Sequence, residues 1–270
     1  SSSRRSISWH NDDRKRTLQG DRAMNILVTG MSGLIGNAVR RQLEGTCAMT
    51  ALNRRPVDGV PCVQADIADF EAMRPAFDNV DVVVHLAAAI QGDWDAMLPN
   101  NVIGTYNVFE ESRQAGVQRV IYASSGSVVS GWEREEPYRT LVAGDPEAAA
   151  ESWEMLTHET PLRPSGLYGC TKAWGEALAR HYADSTDLSV ICLRIGAVNA
   201  EDRPQQPRHQ SVYCSQENVA RLVQACARAP ASLAFDIFYA VSDNPLNYRD
   251  TEHARQVLGF EPVGSASRHR

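Results

Sequence analysis

The chain has 270 residues, 43% apolar and 22% charged, with a net charge of −6. That length and composition suit one globular α/β unit with a small appended lobe, and no apolar run approaches the about 20 residues that span a bilayer. An acidic balance argues against nucleic acid as the main partner.

Residues 1–23 hold six Arg or Lys against three Asp. They contain no apolar core segment, so they are not a secretory signal, and they read as a disordered leader or tag with Met24 as the natural start. Residues 25–29 form a short apolar run of strand type, and residues 34–43 continue with helical spacing. Between them stands Gly30-Met31-Ser32-Gly33-Leu34-Ile35-Gly36. Gly30 permits a tight turn, Gly33 lets the backbone approach a pyrophosphate, and Gly36 lets helix and strand pack closely, while the helix N-terminus offers amides to phosphate. Gly30, Ser32, Gly33, Leu34, Ile35 and Gly36 are therefore candidate cofactor contacts. An ordinary strand-to-helix turn would also use glycines for backbone reasons.

A second strand over 47–52 leads to Asn53-Arg54-Arg55. An acidic residue at this place would accept from a ribose 2′-hydroxyl and repel a 2′-phosphate. Asn53 and Arg54 instead tolerate or favour NADP, whereas two arginines in a merely solvated turn would suit an NAD enzyme. Residues 60–64 lead to Asp66 and Ile67, and a short helix follows near 70–77. Residues 81–86 are apolar without alternation, as central parallel strands are. A long helical stretch over 94–114 is closed by Gly116, a strand follows over 118–124, then a helix over 168–184 and a strand over 188–195. Strands alternating with helices predict a Rossmann-type doubly wound parallel sheet with right-handed crossovers. A small C-terminal substrate-binding portion completes it.

Two loop regions, 131–165 and 197–216, lie beyond strand ends, where such sheets bind substrates. Residues 131–160 hold eight acids and two arginines, a composition that predicts a solvated insertion with a short helix. The six cysteines form no Cys-x-x-Cys pair and have no histidine at ligand spacing. No metal site is expected, and reduced thiols in a cytoplasmic protein are.

Tyr168 and Lys172 stand four apart, so on a helix they share a face. A free tyrosine, with a pKa of about 10, is a poor base at neutral pH. A fixed cation nearby favours its phenolate and moves it toward the working range. The spacing alone is common by chance; downstream of a glycine-rich turn it points to catalysis.

Together, Thr29-Gly30-x-x-Gly33-x-x-Gly36, Asp66-Ile67, His85-Leu86-Ala87-Ala88, Asn101-x-x-Gly104-Thr105, Ala123-Ser124-Ser125 and Tyr168-x-x-x-Lys172 resemble the extended short-chain dehydrogenase/reductase superfamily, also called the NAD-dependent epimerase/dehydratase family. The resemblance covers about residues 24–262. Within it, the stretches 163–172, 192–196 and 239–244 look like uronate dehydrogenases and equally like related archaeal sugar dehydrogenases. The resemblance implies Tyr168 as base, and Lys172 as its electrostatic partner and holder of the nicotinamide ribose. It further implies Ser125 on the reacting oxygen and Asn101 supporting the lysine's helix through water. Leu86, Ala87, Ala88 and Ile195 are further expected cofactor contacts. Ser127 can take the place of Ser125 if the register differs by two, and is otherwise a substrate contact. Arg208 aligns with an arginine that grips a substrate carboxylate, after a two-residue insertion; a solvated loop arginine is the alternative. Where uronate enzymes read Ser-Ser-Asn-His, this chain reads Ser124-Ser125-Gly126-Ser127, and the serine after their Leu-Arg-Ile-Gly is Ala197.

The implied activity is hydride transfer between a sugar or sugar-acid hydroxyl, such as C1 of a hexuronate or aldose, and NADP or NAD. Two other readings stay open: a nucleotide-sugar epimerase or dehydratase, and a non-catalytic NAD(P)-sensing member. The family also implies a homodimer through the helices over 94–114 and 168–184. Val102, Tyr106 and Phe109 on the first, and Trp174, Leu178 and His181 on the second, are the candidate contacts.

Overall fold

Seven short, branched and apolar runs pair side by side in the computed structural model, which describes residues 23–266. The expected leader, residues 1–23, lies outside the described residues except for Ala23. The order along the chain is β1 (Asn25–Thr29), α1 (Leu34–Leu43), β2 (Ala48–Asn53), β3 (Cys62–Gln64), α2 (Phe70–Met73) and β4 (Val82–His85). Then come α3 (Trp94–Met97), α4 (Gly104–Gln114), β5 (Arg119–Ser125), α5 (Tyr138–Ala143), α6 (Leu167–Ser185) and β6 (Ser189–Ile195). The chain continues with α7 (His209–Val212), α8 (Gln216–Arg228), β7 (Phe235–Ala240) and α9 (Glu252–Leu258).

All strand pairs are parallel, in the order β3-β2-β1-β4-β5-β6-β7. The chain reverses its direction of winding between β1 and β4, and open sheets of this kind bind ligands outside the strand ends at such a point. Both faces of the sheet are covered, which explains why β4 and β5 are apolar without alternation. One face packs Ile26, Val28 and Ile121 against α1 and α8; the other packs Leu27, Val83 and Val120 with Val108 and Phe109 of α4.

Several elements differ from the sequence expectation. Strand β2 begins one residue later than expected and β3 is only three residues long. Strand β7 and helix α8 lie outside the expected elements. The helix over 94–114 is one continuous helical path with a π-helical turn, Leu98–Ile103, inserted between α3 and α4. Pro99 has no N–H to donate at that point, and the amide of Gly104 reaches back five residues to the Pro99 carbonyl. Wide turns of this kind recur at functional sites because they re-aim a side chain. Here the re-aimed side chain is Asn101.

The acidic stretch 131–160 contains the expected short helix, α5, but it is not simply solvated. Tyr138, Leu141 and Leu156 are buried with Val128, Val129, Val212 and Tyr248 in a third apolar cluster. The acids hid a sparse apolar pattern that packs beside the segment following β5.

Candidate active site

Gly30 turns the chain at a φ of +71°, and a Cβ there would come within 2.9 Å of the Ala87 amide. At Gly36 a Cβ would lie 2.5 Å from the Met31 carbonyl oxygen. Both positions thus require glycine, while a Cβ at Gly33 would meet only the Gly30 carbonyl. No side chain caps the N-terminus of α1, so its first amides and the positive end of the helix dipole face the cleft above the turn. The loop after β4 is held against this turn by Thr29, whose hydroxyl accepts from the amides of Leu86 and Ala87. His85 bonds that hydroxyl at 2.8 Å and Thr105 at 3.2 Å. Burial first, then the Lys172 charge, pushes His85 down to about 3, so this imidazole is a neutral brace.

The turn opens into a cleft of about 990 Å³. Gly30, Ser32, Gly33, Leu34, Ile35 and Gly36 line it, as do Asn53, Arg54, Asp66, Ile67, Leu86, Ala87, Ala88 and Ile195. At its far end it is lined by Ser125, Ser127, Tyr168 and Lys172. Asn53 donates to Ser32 Oγ at 2.6 Å, and its own Oδ1 is buried without a partner. A buried orphan acceptor beside two arginines, a bare helix N-terminus and a glycine turn fit a dinucleotide. Asn53, Arg54 and Ser32 would hold its adenosine end, and Lys172 its nicotinamide ribose.

Lys172 sits one helical turn after Tyr168 on α6 and is 2% exposed. Its Nζ donates to the Ala123 carbonyl at 2.8 Å and lies over the rings of Tyr122 and Tyr168, at 4.9 and 5.7 Å from their centroids. Burial in this apolar layer pulls the lysine down to about 7. Burial also lifts Tyr168, to about 12, against a hydrogen bond with Ser125 that favours the phenolate. The tyrosine therefore does not feel the lysine in the way the spacing suggests, because Nζ faces the ring and the Ala123 carbonyl. Between these values both groups are neutral. The hydroxyls of Ser125 and Ser127 lie 3.1 Å apart, and Ser125 is the one paired with the Tyr168 phenol.

Asn101 is buried and accepts from the Ala89 amide at 2.7 Å. Its Nδ2 donates to Thr171 Oγ1 at 3.1 Å, and that hydroxyl donates to the Tyr168 carbonyl at 2.8 Å. Asn101 thus reaches α6 through Thr171. Arg208 does not line the cleft. Its guanidinium grips Glu133 with both arms, Nε at 2.7 Å and Nη2 at 2.6 Å. Neither Thr171 nor Glu133 was singled out from sequence. Thr171 lies between the two motif residues, and Glu133 is one acid among eight.

Comparison with known proteins agrees with this geometry. Residues 26–215 match the family described as NAD dependent epimerase/dehydratase. The chain is 33% identical to the NAD-dependent glucose-6-phosphate dehydrogenase of Haloferax volcanii, over 90% of this chain and 94% of that one. It is 34% identical to the L-arabinose 1-dehydrogenase (NAD(P)(+)) of the same organism, over 88% and 95%. The crystal structure of uronate dehydrogenase from Agrobacterium tumefaciens superimposes with a TM-score of 0.77 at 29% identity, over 92% of this chain and 87% of that one. A mutant of the same enzyme complexed with NAD has a TM-score of 0.76.

Proposed function

Because the chain belongs to the NAD-dependent epimerase/dehydratase family, we propose that it is a nicotinamide-dependent dehydrogenase that oxidises a cyclic sugar at C1 to the lactone, with Tyr168 as base. The observation that carries this reading is the meeting of Tyr168, Ser125 and Lys172 at one end of the cleft whose other end is the glycine turn. When bound, the nicotinamide accepts a hydride at C4 and its positive ring favours the phenolate. Tyr168 Oη takes the proton of the sugar hydroxyl, the C1–H electron pair leaves as hydride, and C1 becomes a carbonyl carbon. Ser125 Oγ orients that oxygen. Lys172, protonated as the phenolate forms, neutralises it. Asn101 acts through Thr171 to hold the first turn of α6. The loops 131–165 and 197–216 would supply the sugar's remaining contacts. The names of the three relatives, all sugar or sugar-acid dehydrogenases, support the substrate class, and the arabinose enzyme's name supports C1.

The test is a panel of aldoses, uronates and sugar phosphates incubated with NAD and NADP at equal concentrations, read by nicotinamide absorbance. Net reduction with at least one sugar is expected. An epimerase would return the hydride and show none.

For the cofactor we favour NADP, with NAD accepted, since Asn53 and Arg54 line the cleft and the tip of β2 bears no carboxylate. Arg54→Ala should weaken NADP relative to NAD by about 1–3 kcal/mol, the range for a hydrogen bond between charged groups. Asn53→Asp should move preference toward NAD. Fluorescence titration measures both, and equal losses for the two cofactors would remove Arg54 from the 2′-phosphate.

We also place the enzyme as a homodimer in the cytoplasm. Tyr106 and Trp174 are exposed on α4 and α6, joined by Ile103 and Leu167, which supports pairing through these helices. Phe109, one of the expected contacts, is instead buried in the core. Light scattering at micromolar concentration should exceed the 29.7 kDa of one chain. All six cysteines are free thiols, which supports a reducing compartment. Among the described residues no helix is long and apolar enough to cross a membrane.

A further inference from the structure

Besides Lys172, the catalytic end of the cleft is walled by neutral groups, namely Ser125, Ser127, Tyr168, Ala197 and Val198. Two arginines stand behind this wall. Gly126 lies between the two serines, and the Arg249 guanidinium lies flat against it. A Cβ on Gly126 would sit 2.2 Å from Arg249 Nη1. Arg249 is 1% exposed, so it is sealed from the cleft by the backbone of the serine loop. Arg208 precedes α7, whose end is stitched to the wall, since the Ala197 amide donates to the Val212 carbonyl at 2.7 Å.

Both arginines turn to one carboxylate. Glu133 receives both arms of Arg208, the Tyr248 hydroxyl at 2.5 Å, and Arg249 Nη2 at 3.6 Å. These partners hold its carboxyl below the usual carboxylate range although it is largely buried. An anion entering a closed cleft must shed its water and then needs N–H groups to replace it. The fork of Arg208 is already filled, and by a group of the same charge and shape as a sugar carboxylate. A neutral ring asks only for hydroxyl partners, which the serines supply.

We propose that Glu133 is a specificity-determining residue, an internal carboxylate that occupies the Arg208 fork so that the cleft takes a neutral aldose and discriminates against sugars bearing carboxylate or phosphate. This rests on the sugar dehydrogenase reading above and narrows its substrate class.

The trio carries two cations against one anion, so neutralising Glu133 leaves the buried Arg249 and the part-exposed Arg208 without their carboxylate. The experiment compares kcat/KM for arabinose and glucose with kcat/KM for glucuronate and glucose 6-phosphate, in the wild type and in Glu133→Gln. Wild type is expected to favour a neutral aldose by roughly tenfold or more, and Glu133→Gln to narrow that ratio by at least about tenfold, within the range set by leaving a polar group unpaired. Calorimetry on cofactor-saturated Tyr168→Phe reads binding without turnover, and should show the aldose binding and glucuronate failing to compete. A wild type that prefers glucuronate or glucose 6-phosphate overturns the proposal while leaving the dehydrogenase reading intact. A folded Glu133→Gln with an unchanged ratio also overturns it. No turnover of any sugar would instead strike the reading on which it rests. Should Glu133→Gln fail to fold, Glu133→Asp withdraws the carboxylate by one methylene and is expected to shift the ratio in the same direction.

Discussion

Tyr168→Phe should bind cofactor within about twofold of wild type and lose kcat by about 10²–10⁴, the usual contribution of a positioned proton-transfer group. Those decades correspond to roughly 3–5 kcal/mol of transition-state stabilisation. Only the hydroxyl disappears; the ring stays packed beside Lys172, and α6 keeps its fold through Asn101 and Thr171. Ser125 loses its hydrogen-bond partner, a local loss that leaves the glycine turn untouched. Wild-type turnover should also climb with pH above neutrality, because the free phenol stands at about 12 and its ionised fraction grows tenfold per pH unit below that. The variant should lose this slope. Cofactor affinity by fluorescence, together with single-turnover rates at pH 7 and 9, checks both halves. A Tyr168→Phe enzyme of near-normal rate would remove Tyr168 as the base.

The parts of this protein that obey one local rule were readable from sequence. β1, the glycine turn and α1 combine a strand-type run, a positive-φ glycine at position 30 and helical spacing within twenty residues, and each constrains the others. β4 was readable because burial on both faces removes alternation. Asn101 could be named by resemblance, but not how it is aimed, since that depends on a π-helical turn created by Pro99 and closed by Gly104. Glu133 and Arg249 were illegible for a different reason. They lie 116 positions apart and meet only because Gly126 leaves room for a guanidinium. Composition averaged Glu133 into a solvated stretch, and nothing local marks an arginine that will end 1% exposed. The same averaging concealed Tyr138, Leu141 and Leu156, whose apolar partners come from four distant segments.

Lys172→Met should separate stability from activity, raising one and destroying the other. Burial holds the folded lysine at about 7, against its ordinary 10.5. Between those values the unfolded chain binds a proton that the folded chain does not. Stability therefore rises with pH through this window, and below about pH 7 the folded protein carries the full cost of a buried ammonium. Methionine fills a similar volume without the charge. Removing the cost should stabilise the protein by on the order of 2–4 kcal/mol at pH 6, after allowing for the lost bond to the Ala123 carbonyl. The gain should fade as pH approaches 10.5, where wild-type lysine is neutral in both states. Urea unfolding at pH 6 and 9, with and without the substitution, measures it. A variant no more stable at pH 6 than at pH 9, relative to wild type, would show that the lysine's charge is not penalised by burial. Turnover should meanwhile fall at least as far as in Tyr168→Phe, and cofactor binding should weaken as well, since the proposed neutralising charge and ribose contact are both removed. A buried lysine that costs stability yet sits within one helical turn of the proposed base is what a site shaped for chemistry rather than for folding would keep.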